Sequence, residues 1–250
     1  MSMRKNILIT GASSGLGEGM ARLFAARGRN LALCARRTDR LETLRAELLE
    51  AHPGIEISVK ALDVNDHDQV FKVFGAFAEE FGTLDRIIVN AGLGKGQPLG
   101  TGYFYANKQT AETNFVAALA QCEAAMEIFR KQNAGHLVMV SSISAMRGMR
   151  KNLTTYAATK AGVASLAEGL RTEMLGKPIK VSTIFPGYIR SEMNERVKNA
   201  PFIVDTETGC RAMVNAIEKE RGKASVPWWP WAPLGYALKR MPLTWTRRLF

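Results

Sequence analysis

Short runs of aliphatic and β-branched residues recur at 6–10, 31–35, 56–61, 86–90, 137–141 and 181–185. Between them, apolar residues fall at helical spacing, as in Leu41, Leu44 and Leu48 or in Val70, Phe71, Phe74, Phe77 and Phe81, the signature of amphipathic helices. Strand, helix and strand alternating at this cadence predict a doubly wound α/β domain, a parallel sheet of about seven strands covered on both faces. Two longer helices are expected over 107–131 and 154–175. The second carries Ala157, Ala158, Ala161, Gly162, Ala164, Ser165 and Ala167, small residues suited to close packing, either across a subunit interface or against its own sheet. No repeat, low-complexity tract or linker divides the chain. We expect a single domain over 1–226, followed by an extension over 227–250.

Composition fits this picture. Of 250 residues, 46% are apolar and 23% charged, as in ordinary folded proteins. No apolar run approaches the ~18 residues of a membrane span, and Ile7, Leu8 and Ile9 are too few for a signal-peptide core, so a cytoplasmic location is expected. Cys34, Cys122 and Cys210 are odd in number and lack ligand spacing, and His52, His67 and His136 are scattered; neither a disulfide framework nor a metal site is indicated. The net charge is +11, and the last 30 residues hold six of the 34 basic residues and no acid. The basic excess is therefore local, which suits a basic C-terminal element better than a nucleic-acid footprint.

The first strand runs into Thr10, Gly11, Ala12, Ser13, Ser14, Gly15, Leu16 and Gly17, with a helix expected over 16–27. Glycines allow a sharp turn and close approach of backbone to a pyrophosphate, and the helix N-terminus offers unpaired N–H groups to its charge. With a strand before, a helix after and a second strand ending near Ala35, this is a dinucleotide-binding loop. Where an acid would hold the ribose hydroxyls of NAD, the sequence has Arg36 and Arg37. Guanidiniums there suit the 2′-phosphate of NADP(H), unless Asp39 bends back or the arginines merely open a solvated helix. Asp63 and Val64, ending the third strand, are placed to bracket the adenine.

Tyr156 and Lys160 stand four apart in a helix-forming run, hence on one face. An ammonium near a phenol, together with an oxidised nicotinamide, lowers the phenol pKa from about 10 and suits it to exchange a proton with a substrate oxygen. At this point the sequence resembles the short-chain dehydrogenase/reductase family over residues 4–226. The resemblance rests on TGASSGLG at 10–17, Val89-Asn90-Ala91-Gly92, the YxxxK of Tyr156 and Lys160, Asn114 before Phe115, Ser141 with Ser142, Pro186 with Gly187, and Ser191 where threonine is usual.

The resemblance implies a Rossmann core, commonly a homodimer or homotetramer, and hydride transfer between a nicotinamide and a carbonyl or secondary alcohol. Tyr156 would be the acid/base, Lys160 would hold the nicotinamide ribose, Ser142 would hydrogen-bond the reacting oxygen and Asn114 would fix a water in a proton relay. Asn90, Ala91, Gly92, Pro186, Gly187, Ile189 and Ser191 would join the cofactor contacts. Ser142 stands 14 positions before Tyr156, one more than is usual in the family, which keeps Ser141 and Ser144 open as alternative donors.

On the substrate side, Leu93, Ile143, Met146, Met149, Tyr188 and Met193 suit a lipophilic ketone or alcohol; Lys95, Arg147, Arg150, Lys151 and Arg190 leave room for an anionic head group. The extension opens with Pro227, Trp228, Trp229, Pro230, Trp231 and Pro233, an irregular start by composition, then turns apolar and basic with Lys239, Arg240, Arg247 and Arg248. It fits either a peripheral contact with the inner membrane surface or a segment that covers the pocket or builds an interface. The leading expectation is an NADP(H)-dependent reductase of an apolar carbonyl. The alternative is a silent NADP(H)-binding scaffold.

Overall fold

A computed structural model describes residues 4–194 and 201–249. Seven strands form one parallel sheet: β1 (Asn6–Thr10), β2 (Asn30–Ala35), β3 (Ile57–Ala61), β4 (Arg86–Val89), β5 (Gly135–Val140), β6 (Ile179–Pro186) and β7 (Lys223–Val226), in the order β3-β2-β1-β4-β5-β6-β7. Successive side chains along each strand point to opposite faces of the sheet. Leu8, Ile87, Val89, Leu137, Met139 and Val181 face one core, packed by α3 (His67–Phe81), α5 (Ala117–Gln132) and α6 (Thr154–Glu173). Ile7, Ile9, Leu31, Leu33, Ile88, Val138 and Ile184 face the other, packed mainly by α1 (Gly15–Ala25), α2 (Thr38–Ala51) and α7 (Thr206–Glu218). Because β1 lies between β2 and β4, chain direction reverses there across the sheet, and a crevice opens at the carboxyl ends of these strands, where ligands bind in doubly wound sheets.

The helix expected over 107–131 begins three residues earlier and is not uniform. Residues Phe104–Ala111 form α4, Glu112–Val116 make one π-helical turn, and α5 continues to Gln132. A π turn inserts one residue into the helical register and is frequent at functional sites; it contains Asn114.

At the opposite, amino-terminal end of the sheet lies a buried polar cluster. Arg86 on β4 is 1% exposed. Its Nη1 pairs with Glu218 at 2.7 Å and its Nε donates to His136 Nδ1 at 2.9 Å. His136 Nε2 meets Ser182 Oγ at 2.8 Å, while Arg29 and Arg4 hold Glu218 and Glu220 from outside. The cluster ties β4, β5 and β6 to the end of α7.

The extension is helical sooner than its prolines suggest. In α8 (Trp228–Arg240) Trp229 departs from helical geometry and makes a kink; Pro230 follows it at the start of the continuing helix, where no intrahelical N–H bond is required, and Pro233 lies inside the helix. Trp231, Gly235 and Leu238, at i, i+4 and i+7, form its buried face, packed on β7 and on the turn Ile143–Met146. Arg147 donates to the carbonyls of Lys239 and Met241 at 3.3 and 3.0 Å, a cation at the helix C-terminus where it is favoured. A short helix, α9 (Leu243–Leu249), follows.

Candidate active site

The crevice holds a cavity of about 410 Å³. One end is the glycine loop. Gly11 and Gly15 have φ of +65° and +56°, in the left-handed region that only glycine enters freely. A side chain on Gly11 would press on Ala91 Cα, and Ser14 immediately precedes α1, so the loop offers bare backbone and the first N–H groups of a helix. Thr10 Oγ1 accepts from the N–H groups of Asn90 and Ala91, and Asn90 Nδ2 donates to Thr10 O at 3.0 Å. This brace fixes the loop against the end of β4. Gly11, Ser13, Ser14, Gly15, Leu16, Asp63, Val64, Asn90, Ala91 and Gly92 all line the cavity. Gly17 does not: a Cβ there would overlap Gly11 O, so this glycine serves the packing of loop on helix.

Arg36 and Arg37 line the same end, whereas Asp39 sits in the first turn of α2 away from it. Arg37 donates to Ser14 Oγ at 2.6 Å and to Ser13 Oγ at 3.3 Å. Its guanidinium also meets Glu192 Oε2 at 3.2 Å, and Arg40 takes Oε1 of the same carboxylate at 2.6 Å. These arginines hold the Glu192 carboxyl below the usual carboxylate range, Arg40 first. On the other side of the cleft, Met193 lies across Gly94, whose added Cβ would meet it at 3.0 Å. Residues 192 and 193 thus bridge both rims. Glu192 was not legible as a site residue; its only sequence signal is an acid beside Ser191.

At the far end stand Ser142, Tyr156 and Lys160. Ser142 and Tyr156 line the cavity together, and Ser142 accepts from both the N–H and the hydroxyl of Ser144, at 3.2 and 2.9 Å. With its lone pairs so engaged, its own proton is left for an oxygen in the cavity. Ser141 instead donates to Lys160 O at 2.7 Å. Burial pushes the Tyr156 phenol above its ordinary pKa, against the lowering exerted by Ser142. Lys160 Nζ lies 5.9 Å from the tyrosine ring centroid and donates to Val140 O at 3.0 Å. Desolvation brings Lys160 itself down to about 8. Asn114 is buried beneath the wall, its side chain accepting from Leu93 N–H at 2.6 Å and donating to Leu93 O at 2.8 Å. Both ends of the amide therefore hold backbone, and the side chain does not face the cavity.

Pro186, Gly187, Ile189 and Ser191 line the cavity beside this centre, with Leu93, Ile143, Met149, Tyr188 and Met193. Met146 does not join them; it packs on Gly235 of α8. Lys95, Arg147, Arg150, Lys151 and Arg190 are also absent from the wall. Wall residues that were missed include Leu153, Trp231 and Leu238, besides Glu192. Trp231, 1% exposed, stands edge-on to Tyr188 at 5.7 Å and covers Gly187 so closely that any Cβ there would overlap the indole.

Over residues 5–201 the chain matches the family described as short chain dehydrogenase. It is 55% identical over 245 residues to an uncharacterized oxidoreductase of Mycobacterium tuberculosis, covering 98% of this chain and 97% of that one. An 11-beta-hydroxysteroid dehydrogenase 1A of Arabidopsis thaliana is 31% identical over 244 residues, covering 90% of this chain and 69% of that one. Among solved structures, levodione reductase superposes with a TM-score of 0.82 at 25% identity, covering 93% of this chain and 99% of that chain.

Proposed function

The chain belongs to the short chain dehydrogenase family, and on that premise we propose that it is an NADP(H)-dependent oxidoreductase that reduces an apolar ketone to a secondary alcohol. The observation that carries this reading is that Tyr156 and Ser142 both line one end of a cavity whose other end is a glycine loop with two arginines. The residues present fit the cofactor: bare backbone at Gly11 and Gly15 for the pyrophosphate, Arg36 and Arg37 for the 2′-phosphate, and Asp63 and Val64 for the adenine. When bound, the nicotinamide supplies the hydride.

The chain's own residues supply the rest. Burial keeps the Tyr156 phenol protonated, as a donor to a carbonyl oxygen requires, which favours the reductive direction. Ser142, braced by Ser144, holds that oxygen while negative charge develops on it. Lys160 would hold the ribose, and Asn114 fixes the Leu93 backbone beside it. Tyr188, Met149, Trp231 and Leu238 exclude water and select an apolar substrate; the names of the hydroxysteroid dehydrogenase and the levodione reductase are consistent with this chemistry. Self-association into a homodimer or homotetramer belongs to the same reading, with exposed Ala158, Ala161 and Ser165 of α6 available to it.

Purified protein should oxidise NADPH in preference to NADH, at rates that rise along a series of ketones from short to long apolar chains. Equal rates along the series would overturn the substrate class while leaving the reaction intact. The cofactor assignment has its own test in a pair of variants with opposite signs. Arg36→Asp should weaken NADPH by about 100-fold and NADH by less than about threefold, since a charge-assisted phosphate contact becomes a repulsion. Glu192→Gln removes a carboxylate from Arg37 and Arg40, of which Arg37 is a proposed phosphate ligand, and should tighten NADPH by about threefold, as befits an exposed pair, with NADH unchanged. Parallel changes for both cofactors, read by fluorescence titration, would sink the phosphate assignment.

A further inference from the structure

The extension turns one face to the catalytic pocket and the other to solvent. Inward, Trp231 and Leu238 form part of the cavity wall. Outward, Trp228, Trp229, Tyr236, Leu243 and Trp245 are between 62 and 70% exposed, so three of the chain's four tryptophans stand in water although indole is costly to leave there. These side chains are not on a loose tail: α8 is fixed by its buried face and by Arg147 at its C-terminal end.

The segment that carries the exposed rings is cationic, and Glu168 of α6 borders it, paired with Lys223 at 2.6 Å. Residues 221–250 contain six Lys and Arg and no Asp or Glu, and the Arg240 guanidinium lies over the Tyr236 ring at 3.9 Å. The rim near the pocket is apolar as well. Phe202, 59% exposed, stands edge-on to Trp231 at 6.0 Å, and Met193 and Leu153, which line the cavity, are also exposed. Apolar surface therefore runs from the cavity wall through Trp231 and Phe202 to the outside.

We propose that α8 and α9 seat the protein on an anionic lipid surface, indoles at the headgroup level and cations against the phosphates, with the mouth of the substrate pocket beside the bilayer. The substrate would then reach the Trp231 wall from the lipid without crossing water; this rests on the apolar-ketone reading above. Charge decides between lipid and a second copy of the chain. A two-fold contact of this face with itself would bring together two copies of a segment that holds six cations and no acid. Aromatic rings among cations of a single sign match an anionic interface on both counts.

The test is co-sedimentation of the full chain with vesicles of phosphatidylcholine alone or mixed with phosphatidylglycerol, at low and high salt. We expect at least about tenfold stronger binding to the mixed vesicles, reduced by salt, with a blue shift of tryptophan emission. The double variant Lys239→Glu/Arg240→Glu and, separately, the triple variant Trp228→Ser/Trp229→Ser/Trp245→Ser should each lose that binding by about tenfold or more. Both should keep wild-type NADPH affinity and wild-type turnover of a short, water-soluble ketone, which shows that they fold. Failure to bind mixed vesicles, or equal binding by the variants, overturns the proposal. Dissociation of an oligomer by the same variants, seen by light scattering without vesicle binding, would assign the face to a second copy and overturn it too. Vesicle binding without activity on long-chain ketones would sink the substrate reading alone; the converse would sink the docking alone.

Discussion

Tyr156→Phe is expected to lower turnover by about a thousandfold or more while leaving NADPH affinity within twofold of wild type. Phenylalanine keeps the ring and its packing in the cavity wall, so cofactor and substrate still find their surfaces. What is lost is the proton. The phenol is held in its neutral form by burial; Ser142 is an aliphatic alcohol, a far weaker acid than a phenol, and Ser141 is committed to Lys160 O. Single-turnover mixing of enzyme-bound NADPH with ketone, followed at the nicotinamide absorbance, separates chemistry from binding. Residual turnover within tenfold of wild type would show that proton delivery runs through some other group and would remove Tyr156 from the acid/base role.

The second large effect concerns stability, far from the cavity. Arg86→Met should cost about 3 kcal/mol, the low end of the range for breaking a buried ion pair, because Glu218 and Glu220 retain Arg29 and Arg4. For a chain of this size that corresponds to a fall in Tm of about 6–12 °C. The pH dependence gives a sharper reading. Burial, and then the nearby Arg86 and Arg4 cations, hold the His136 pKa well below 6.5. The neutral ring accepts from Arg86 at Nδ1 and donates to Ser182 from Nε2. The unfolded chain binds a proton at this residue below about pH 6.5 and the folded chain does not, so this contribution to stability is intact above that pH and declines as pH falls through it. Removing Arg86 lets the His136 pKa rise toward its ordinary value and flattens the decline. The gap between wild type and variant in urea denaturation should therefore narrow from about pH 8 to about pH 5; parallel curves would show that Arg86 does not set the histidine's charge.

What could be read from the sequence was what short stretches determine by themselves. Strand cores such as 6–10 and 86–90 are short unbroken aliphatic runs, and Gly11 and Gly15 announce a turn that only glycine makes, so sheet and glycine loop were visible together. The edge strand at 223–226 was not placed, because Lys-Ala-Ser-Val has one apolar face of two residues and no run to stand out. The π turn at 112–116 has no compositional mark, since it is an inserted residue in an otherwise ordinary helix. Trp231, Leu238 and Glu192 reach the cavity through contacts spanning tens of residues, and nothing in their neighbourhood states which way they face. Met146 was misplaced for the same reason: an apolar residue next to the catalytic loop belongs equally well to the pocket or to the seat of α8, and packing alone chose the second.

The contact of Trp231 with Gly187 carries a thermodynamic consequence. Gly187 belongs to the segment that would floor the nicotinamide, and Trp231 is a wall of the substrate cavity, pressed against it with no room for a single carbon between them. Neither can be displaced without the other. Cofactor and substrate are then coupled ligands: the factor by which NADPH changes the affinity for ketone must equal the factor by which ketone changes the affinity for NADPH. Substituting a smaller side chain at position 231 should lower the ketone affinity and bring that factor closer to one, so that the two binding events become more nearly independent.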